Sequence, residues 1–130
     1  MEDLVYGYFA DLQFGINDTI ERVIELYGEP LDANLYGGSY YLRYDGFTVF
    51  NDNIEYEYGG LVSAISFHDG SIFDIQFSGG VEQAINKFGE PDDFYYDEEY
   101  GYLLMYSFGD YILEFGADDP YSPINFIDFY

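Results

Sequence analysis

The sequence predicts an α+β fold: two tandem helix-plus-antiparallel-meander repeats, over about residues 12–70 and 75–130, that form one shared sheet with the helices on one face. Three observations predict it. The segments Ile20–Pro30 and Val81–Pro91 match one another without a gap. Each opens with apolar residues at helical spacing, and each is followed by short aromatic and β-branched runs broken by turn residues. At 130 residues the chain has the size of one ordinary domain, so a single domain over 1–130 is expected.

The match sets Ile20, Glu21, Ile24, Tyr27, Gly28, Glu29 and Pro30 opposite Val81, Glu82, Ile85, Phe88, Gly89, Glu90 and Pro91. Gln13-Phe14 returns as Gln76-Phe77, Tyr41-Leu42 as Tyr102-Leu103, and Ile65 with Phe67 as Ile127 with Phe129 after a small length change. In the first repeat Ile20, Val23, Ile24 and Tyr27 line one helical face, and in the second Val81, Ala84, Ile85 and Phe88 do so. Asp18 is expected to cap the first helix, with Glu21 completing a capping box, while Gly79-Gly80 opens the second less firmly. Both helices should stop at a glycine in a left-handed cap, with a proline two residues later.

Three or four strands should follow in each repeat, separated by Asp45-Gly46, Gly59-Gly60, Asp69-Gly70 and Gly109-Asp110. Strand alternation points Leu42, Tyr44, Leu103 and Met105 at the helices. Tyr41, Arg43, Tyr102, Leu104 and Tyr106 are then expected on an open, aromatic face.

Charge is the other informative feature. The formal net charge is -23, from 26 acidic residues against 3 Lys plus Arg, yet 48% of residues are hydrophobic and 23% aromatic. So apolar a chain should fold, and so acidic a surface repels nucleic acid and anionic membranes while steering in a basic partner. With no cysteine there is no disulfide, thiolate metal site or cysteine nucleophile. The N-terminal residues lack the positive start and apolar run of an export signal, so a cytoplasmic location is expected.

The helix ending Tyr27-Gly28-Glu29-Pro30, preceded by Phe14-Gly15-Ile16-Asn17-Asp18-Thr19 and followed by Tyr-rich strands, resembles a known family. It is similar to the tandem helix-plus-meander domains of β-lactamase inhibitory protein and to small outer-membrane lipoproteins with related single units. The resemblance implies a shared eight-stranded sheet that clasps a target protein, without catalysis. The chain departs from that group in its greater acidity and lack of cysteine pairs.

No chemistry-bearing motif supports an enzyme. His68, the one histidine, reads as a turn residue beside Asp69-Gly70, and no Gly-x-Ser-x-Gly elbow accompanies it. Asn51-Asp52-Asn53-Ile54-Glu55 is oxygen-rich but lacks calcium-loop spacing, and no cofactor or metal is expected. The binding surface is expected instead where acids interleave with aromatics, at Asp92, Asp93, Tyr95, Tyr96, Asp97, Glu98, Glu99, Tyr100 and Tyr102. Glu55, Tyr56, Glu57 and Tyr58 repeat that chemistry, and Tyr41, Arg43 and Tyr106 extend it onto the sheet. Carboxylates accept paired bonds from Arg, and tyrosine rings stack on its guanidinium.

The expected function is stoichiometric inhibition, by an immunity protein or antitoxin, of a basic toxin such as a nuclease. One alternative is a phage-encoded DNA mimic that blocks restriction or CRISPR effectors. Another is a salt-adapted scaffold protein with no charged partner. Of the cations, Arg22 is expected to pair with Asp18, Lys87 to trim helix charge near Glu82, and Arg43 to stack between tyrosines.

Overall fold

In this computed structural model, residues 2–9, 11–36, 39–52, 59–68 and 71–130 are described. A 3-10 turn, Glu2–Tyr6, leads into a small hairpin of β1 (Tyr8–Phe9) and β2 (Phe14–Gly15). Helix α1 (Ile20–Tyr27) follows, then β3 (Asp32–Tyr36), β4 (Ser39–Arg43), β5 (Phe47–Asn51) and β6 (Val62–Phe67). A second small hairpin, β7 (Ser71–Ile72) and β8 (Ile75–Gln76), precedes helix α2 (Glu82–Phe88). Strands β9 (Asp93–Asp97), β10 (Gly101–Phe108), β11 (Tyr111–Ala117) and β12 (Ile124–Phe129) complete the chain.

Helix α1 forms where the apolar spacing predicts it, burying Ile20 and Val23 completely. Its cap lies one residue later than expected. Thr19 has extended backbone and accepts from Arg22 N at 3.1 Å, whereas the Asp18 carboxylate is already engaged by Gly15 N at 2.7 Å. Before α2 no side chain caps the helix at Val81; the Gln83 amide instead donates to Gln76 O and Gly80 O, both at 2.9 Å. The helices stop at Gly28 and Gly89 as predicted, with φ of 77° and 85° but ψ near -162° and -161°. That extended positive-φ region belongs to glycine, not to the left-handed cap expected.

The large sheet has eight strands in the order β3-β4-β5-β6-β12-β11-β10-β9, with every neighbouring pair antiparallel. The strands after α1 therefore occupy one half and those after α2 the other, meeting at β6 and β12. There Ile127 lies opposite Phe67, Asp128 opposite Ser66, and Phe129 opposite Ile65.

One face of the sheet carries the core. Leu42, Val49, Ile65, Leu104, Leu113, Phe115, Ile127 and Phe129 are buried beneath Ile20 and Val23 of α1 and Ala84 of α2. Tyr27 packs on Tyr44 and Phe47, and Phe88 on Tyr106 and Phe115, so both helices cover this one face. Side chains at alternate positions form the open face.

Which residues of β10 belong to which face differs from expectation. Leu104 and Tyr106 point at the helices, not away from them, and are 0% and 3% exposed. The Tyr106 hydroxyl donates to Gly89 O at 2.8 Å, as the Tyr44 hydroxyl does to Gly28 O at 2.9 Å. Leu104 and Tyr106 thus lie on the same face of the sheet as Leu42 and Tyr44. The sequence has two residues between β3 and β4 but three between β9 and β10. That extra residue shifts β10 by one against a gapless match, and a shift of one exchanges the faces of a strand. Tyr102 accordingly lies on the helix side, beside Phe94 at 6.0 Å between ring centres, and packs against the core. Leu103 and Met105 belong to the open face. Tyr106 is buried and Tyr102 half-buried on the helix side, so neither lies on the open face where the sequence reading puts it.

Candidate functional site

Following the registers from strand to strand assembles the open face. Cross-strand partners place Asp93, Tyr95 and Asp97 of β9 beside Met105, Leu103 and Gly101 of β10. Next come Glu114 and Gly116 of β11, then Asp128 and Phe126 of β12, then Ser66 of β6 and Thr48 of β5. Tyr41 and Arg43 of β4 and Asp32 of β3 close the far side. Within this face a cleft of about 500 Å³ is lined by Tyr95, Tyr100, Leu103, Glu114, Phe126, Asp128 and Tyr130. Its volume lies in the range of small-ligand pockets.

Two of the residues that line it are carboxylates. Glu114 and Asp128 are direct cross-strand partners, which places like charges side by side, an arrangement that destabilises a sheet. Burial, then the neighbouring Asp128 charge, pushes the Glu114 carboxyl above its ordinary range, against a weaker opposing effect from Tyr130. Burial likewise raises Asp128, opposed by its hydrogen bond from Ser66 and by His68. The Ser66 hydroxyl donates to Asp128 Oδ1 at 2.6 Å, and Tyr130 makes a long contact of 3.4 Å with Glu114 Oε1. Burial and the adjacent Glu114 lift the Tyr130 phenol to about 12, so it remains a neutral donor at physiological pH. Tyr95 is raised by its own partial desolvation and by the charges of Glu114, Asp93 and Asp97.

The residues expected at the site fall in different places. Tyr95 and Tyr100 line the cleft, and Tyr96, Glu98, Glu99 and Tyr100 line an adjoining depression of about 420 Å³ that shares Phe126 with it. Asp93, Tyr41 and Arg43 lie on the same face outside the cleft, with the Tyr41 hydroxyl donating to Asp32 Oδ2 at 2.9 Å. Two acids have structural tasks instead: Asp92 Oδ2 accepts from Ser107 N at 2.7 Å, and Asp97 Oδ1 accepts from Glu99 N at 2.7 Å and Tyr100 N at 3.0 Å. Glu55, Tyr56, Glu57 and Tyr58 lie outside the described residues.

The cations sit away from the cleft. Arg22 donates to Gln13 O at 3.2 Å instead of pairing with Asp18, Lys87 lies 3.9 Å from Asp74 instead of near Glu82, and Arg43 is exposed opposite Asp32. His68 follows β6, with its ring Nε2 2.6 Å from the Thr48 hydroxyl. Among the described residues no three or more acids and histidines cluster as metal ligands, and no helix is long and apolar enough to cross a membrane.

The carboxylate pair predicts how stability responds to pH. A carboxyl with a raised folded-state pKa contributes stability that is complete below its unfolded pKa and is lost as pH rises through the folded value. Acidifying from neutrality towards the ordinary carboxylate range should therefore raise the melting temperature, and reduced self-repulsion acts in the same direction. Asp119, whose carboxyl is lowered by hydrogen bonds from Tyr121 N, the Ser122 hydroxyl and Ser122 N, loses its contribution only below the ordinary aspartate range, outside this window. Glu114→Gln combined with Asp128→Asn should flatten the response, raising stability near neutrality by about 1 kcal/mol. Calorimetry of both proteins across the window checks this, and an unaltered pH response in the double variant would contradict it.

No family model matches the sequence, and no curated protein matches it. Among solved structures the chain is similar to a DUF4309 family protein (YjgB) from Bacillus subtilis subsp. subtilis str. 168, with a TM-score of 0.69 and 14% identity over 98% of this chain and 90% of that chain. At that identity the likeness bears on the fold: nearly the whole chain, helices and eight-stranded sheet together, follows an arrangement already seen in a solved protein.

Proposed function

We propose that this chain is a non-enzymatic binding protein that inhibits a basic protein stoichiometrically, as an immunity protein or antitoxin neutralises a toxin, with a nuclease as the leading target. The observation that carries the reading is the open sheet face, where an acid-bearing, tyrosine-walled cleft lies over β9–β12 in a chain with net charge -23. A nuclease is cationic where it holds phosphates, so an acidic face can occupy that surface by presenting charge as a nucleic-acid backbone does. Tyrosines supply rigid contact area at little entropic cost and remain compatible with water when unbound. A strongly negative field also accelerates encounter with a basic partner.

The same reading takes the chain as a duplicated helix-and-meander unit working in the cytoplasm. It is supported by the place of α1 before β3–β6 and of α2 before β9–β12, and by the equivalent bonds of Tyr44 and Tyr106. The resemblance to the inhibitory-protein family belongs to this reading too.

The test is capture on the immobilised chain at low salt, identification of the retained basic protein, and assay of that protein's activity. A nuclease should lose its activity at a one-to-one ratio, and capture should fade steeply as salt rises. Retention of no basic protein, or full activity of the retained nuclease in the presence of excess chain, rejects the reading.

A further inference from the structure

Glu114 and Asp128 present an unresolved electrostatic problem inside the cleft. They are partly desolvated, adjacent and of like charge, and partly buried charges are ordinarily paired. All three Lys and Arg residues of the chain are placed elsewhere, on Gln13 O, opposite Asp32 and near Asp74. His68 exerts an effect on Asp128 but does not reach Glu114 among the interactions that shift it. Each carboxylate has one oxygen engaged, by Tyr130 and by Ser66, while Glu114 Oε2 and Asp128 Oδ2 make no hydrogen bond among the described residues.

We propose that the cleft receives a single arginine side chain of the basic partner, its guanidinium bridging Glu114 and Asp128 between the rings of Tyr95 and Tyr130. This rests on the reading of the open face as a surface for a basic protein, and specifies its anchor.

The chemistry favours guanidinium over the other cations. Two acceptors on separate strands require a group with donors spread around a plane, which guanidinium has and a compact ammonium lacks. Guanidinium also stacks on aromatic faces and is weakly hydrated, so entering a half-buried, tyrosine-walled cleft costs it less than it costs lysine. A metal ion would want more ligands than two carboxylates and a neutral phenol supply. The adjoining depression, with Glu98, Glu99 and Asp118 at its rim, gives the surrounding basic surface of the same partner further acids to cover. Arginines desolvated at the centre of an interface and ringed by weaker contacts are a recurring form of binding hot spot.

The probe is the blocked tripeptide acetyl-Gly-Arg-Gly-amide, titrated into the isotopically labelled chain at low salt and followed by NMR, with the lysine and all-glycine peptides in parallel. The arginine peptide should shift resonances of Tyr95, Leu103, Glu114, Phe126, Asp128 and Tyr130 with a dissociation constant of roughly millimolar order, as expected of so small a ligand. The lysine peptide should bind at least about fivefold more weakly, and the all-glycine peptide should leave the cleft unshifted. Glu114→Gln and Asp128→Asn, which preserve shape, should each weaken arginine binding about tenfold, whereas Glu98→Gln with Glu99→Gln should change it less than about twofold. Binding should also weaken on acidification, because protons compete for Glu114 and Asp128, with Tyr95, Tyr130 and His68 the other titratable groups facing them.

Absence of localised shifts, equal binding of lysine, or equal sensitivity to the Glu98 and Glu99 substitutions overturns the anchor. The wider reading is judged separately, by capture of a basic protein on the Glu114→Gln, Asp128→Asn variant. If the peptide does not bind but this variant still captures and inhibits the protein, the anchor fails and the acidic face stands. If the native chain captures nothing either, both fail.

Discussion

Replacing Tyr106 by alanine should lower folding stability by about 3–5 kcal/mol, and replacing it by phenylalanine by about 1 kcal/mol. The ring is 3% exposed, with its centre 5.3 Å from Phe88 and 6.0 Å from Phe115, so truncation opens a cavity beneath α2. Phenylalanine fills that space and forfeits only the bond to Gly89 O, leaving the carbonyl where α2 ends without that donor. Burial, with smaller contributions from Asp92 and Glu90, raises the phenol to about 12, so it stays a neutral donor throughout the physiological range. Urea unfolding followed by circular dichroism separates the two losses. A native midpoint for Tyr106→Ala, together with weakened capture of a basic protein, would instead mean that the ring faces the partner.

That prediction exposes where the sequence is legible and where it is not. Helix faces are legible because Ile20, Val23 and Ala84 recur at the helical period with glycine and proline stops behind them. Ile65 with Phe67 and Ile127 with Phe129 are legible as matching apolar pairs, but that they lie opposite one another in β6 and β12 is not. Faces within β10 are not. Leu103 and Leu104 are both apolar, and Tyr102, Met105 and Tyr106 suit either environment, so no alternation in the strand opposes a shift of one residue. A single additional loop residue then decides the outcome, and periodicity does not detect it.

The carboxylates of the cleft are hard to read from sequence for another reason. Glu114 and Asp128 lie in different strands and become neighbours only through antiparallel pairing. A signal for each was nonetheless present. In Leu113-Glu114-Phe115 and Ile127-Asp128-Phe129 one acid lies between two large apolar residues, which in a strand sends the acid to the face opposite the core. Dense runs such as Asp97-Glu98-Glu99 were more conspicuous because they are contiguous. Yet Asp97 serves the turn, while the isolated acids carry the raised pKa values.

Phe129→Ala should be as damaging as Tyr106→Ala, at about 3–5 kcal/mol, but its consequences should extend to the cleft. Phe129 is fully buried, with its ring edge-on to Phe9 at 4.8 Å and tilted to Tyr111 at 5.9 Å, and it lies opposite both Ile65 and Leu113. It thus ties the β1 hairpin, β11 and the junction of β6 with β12 into one packing unit. Its chain neighbours are Asp128 and Tyr130, and Tyr130 N in turn donates to Ile112 O at 3.0 Å. A cavity at Phe129 should therefore loosen the backbone that holds one carboxylate and one aromatic wall of the cleft. Phe129→Leu, which retains most of the volume, should cost less than about 2 kcal/mol and leave arginine-peptide binding intact. Hydrogen exchange offers the sharpest comparison. In Phe129→Ala the amides of β6 and β12 should lose protection before those of β4 and β10, and arginine-peptide binding should fall with them. Uniform loss of protection would mean that the sheet opens as one cooperative unit with no weaker junction, whereas early opening at β6 and β12 would tie the shape of the cleft directly to the packing of one phenylalanine on the opposite face.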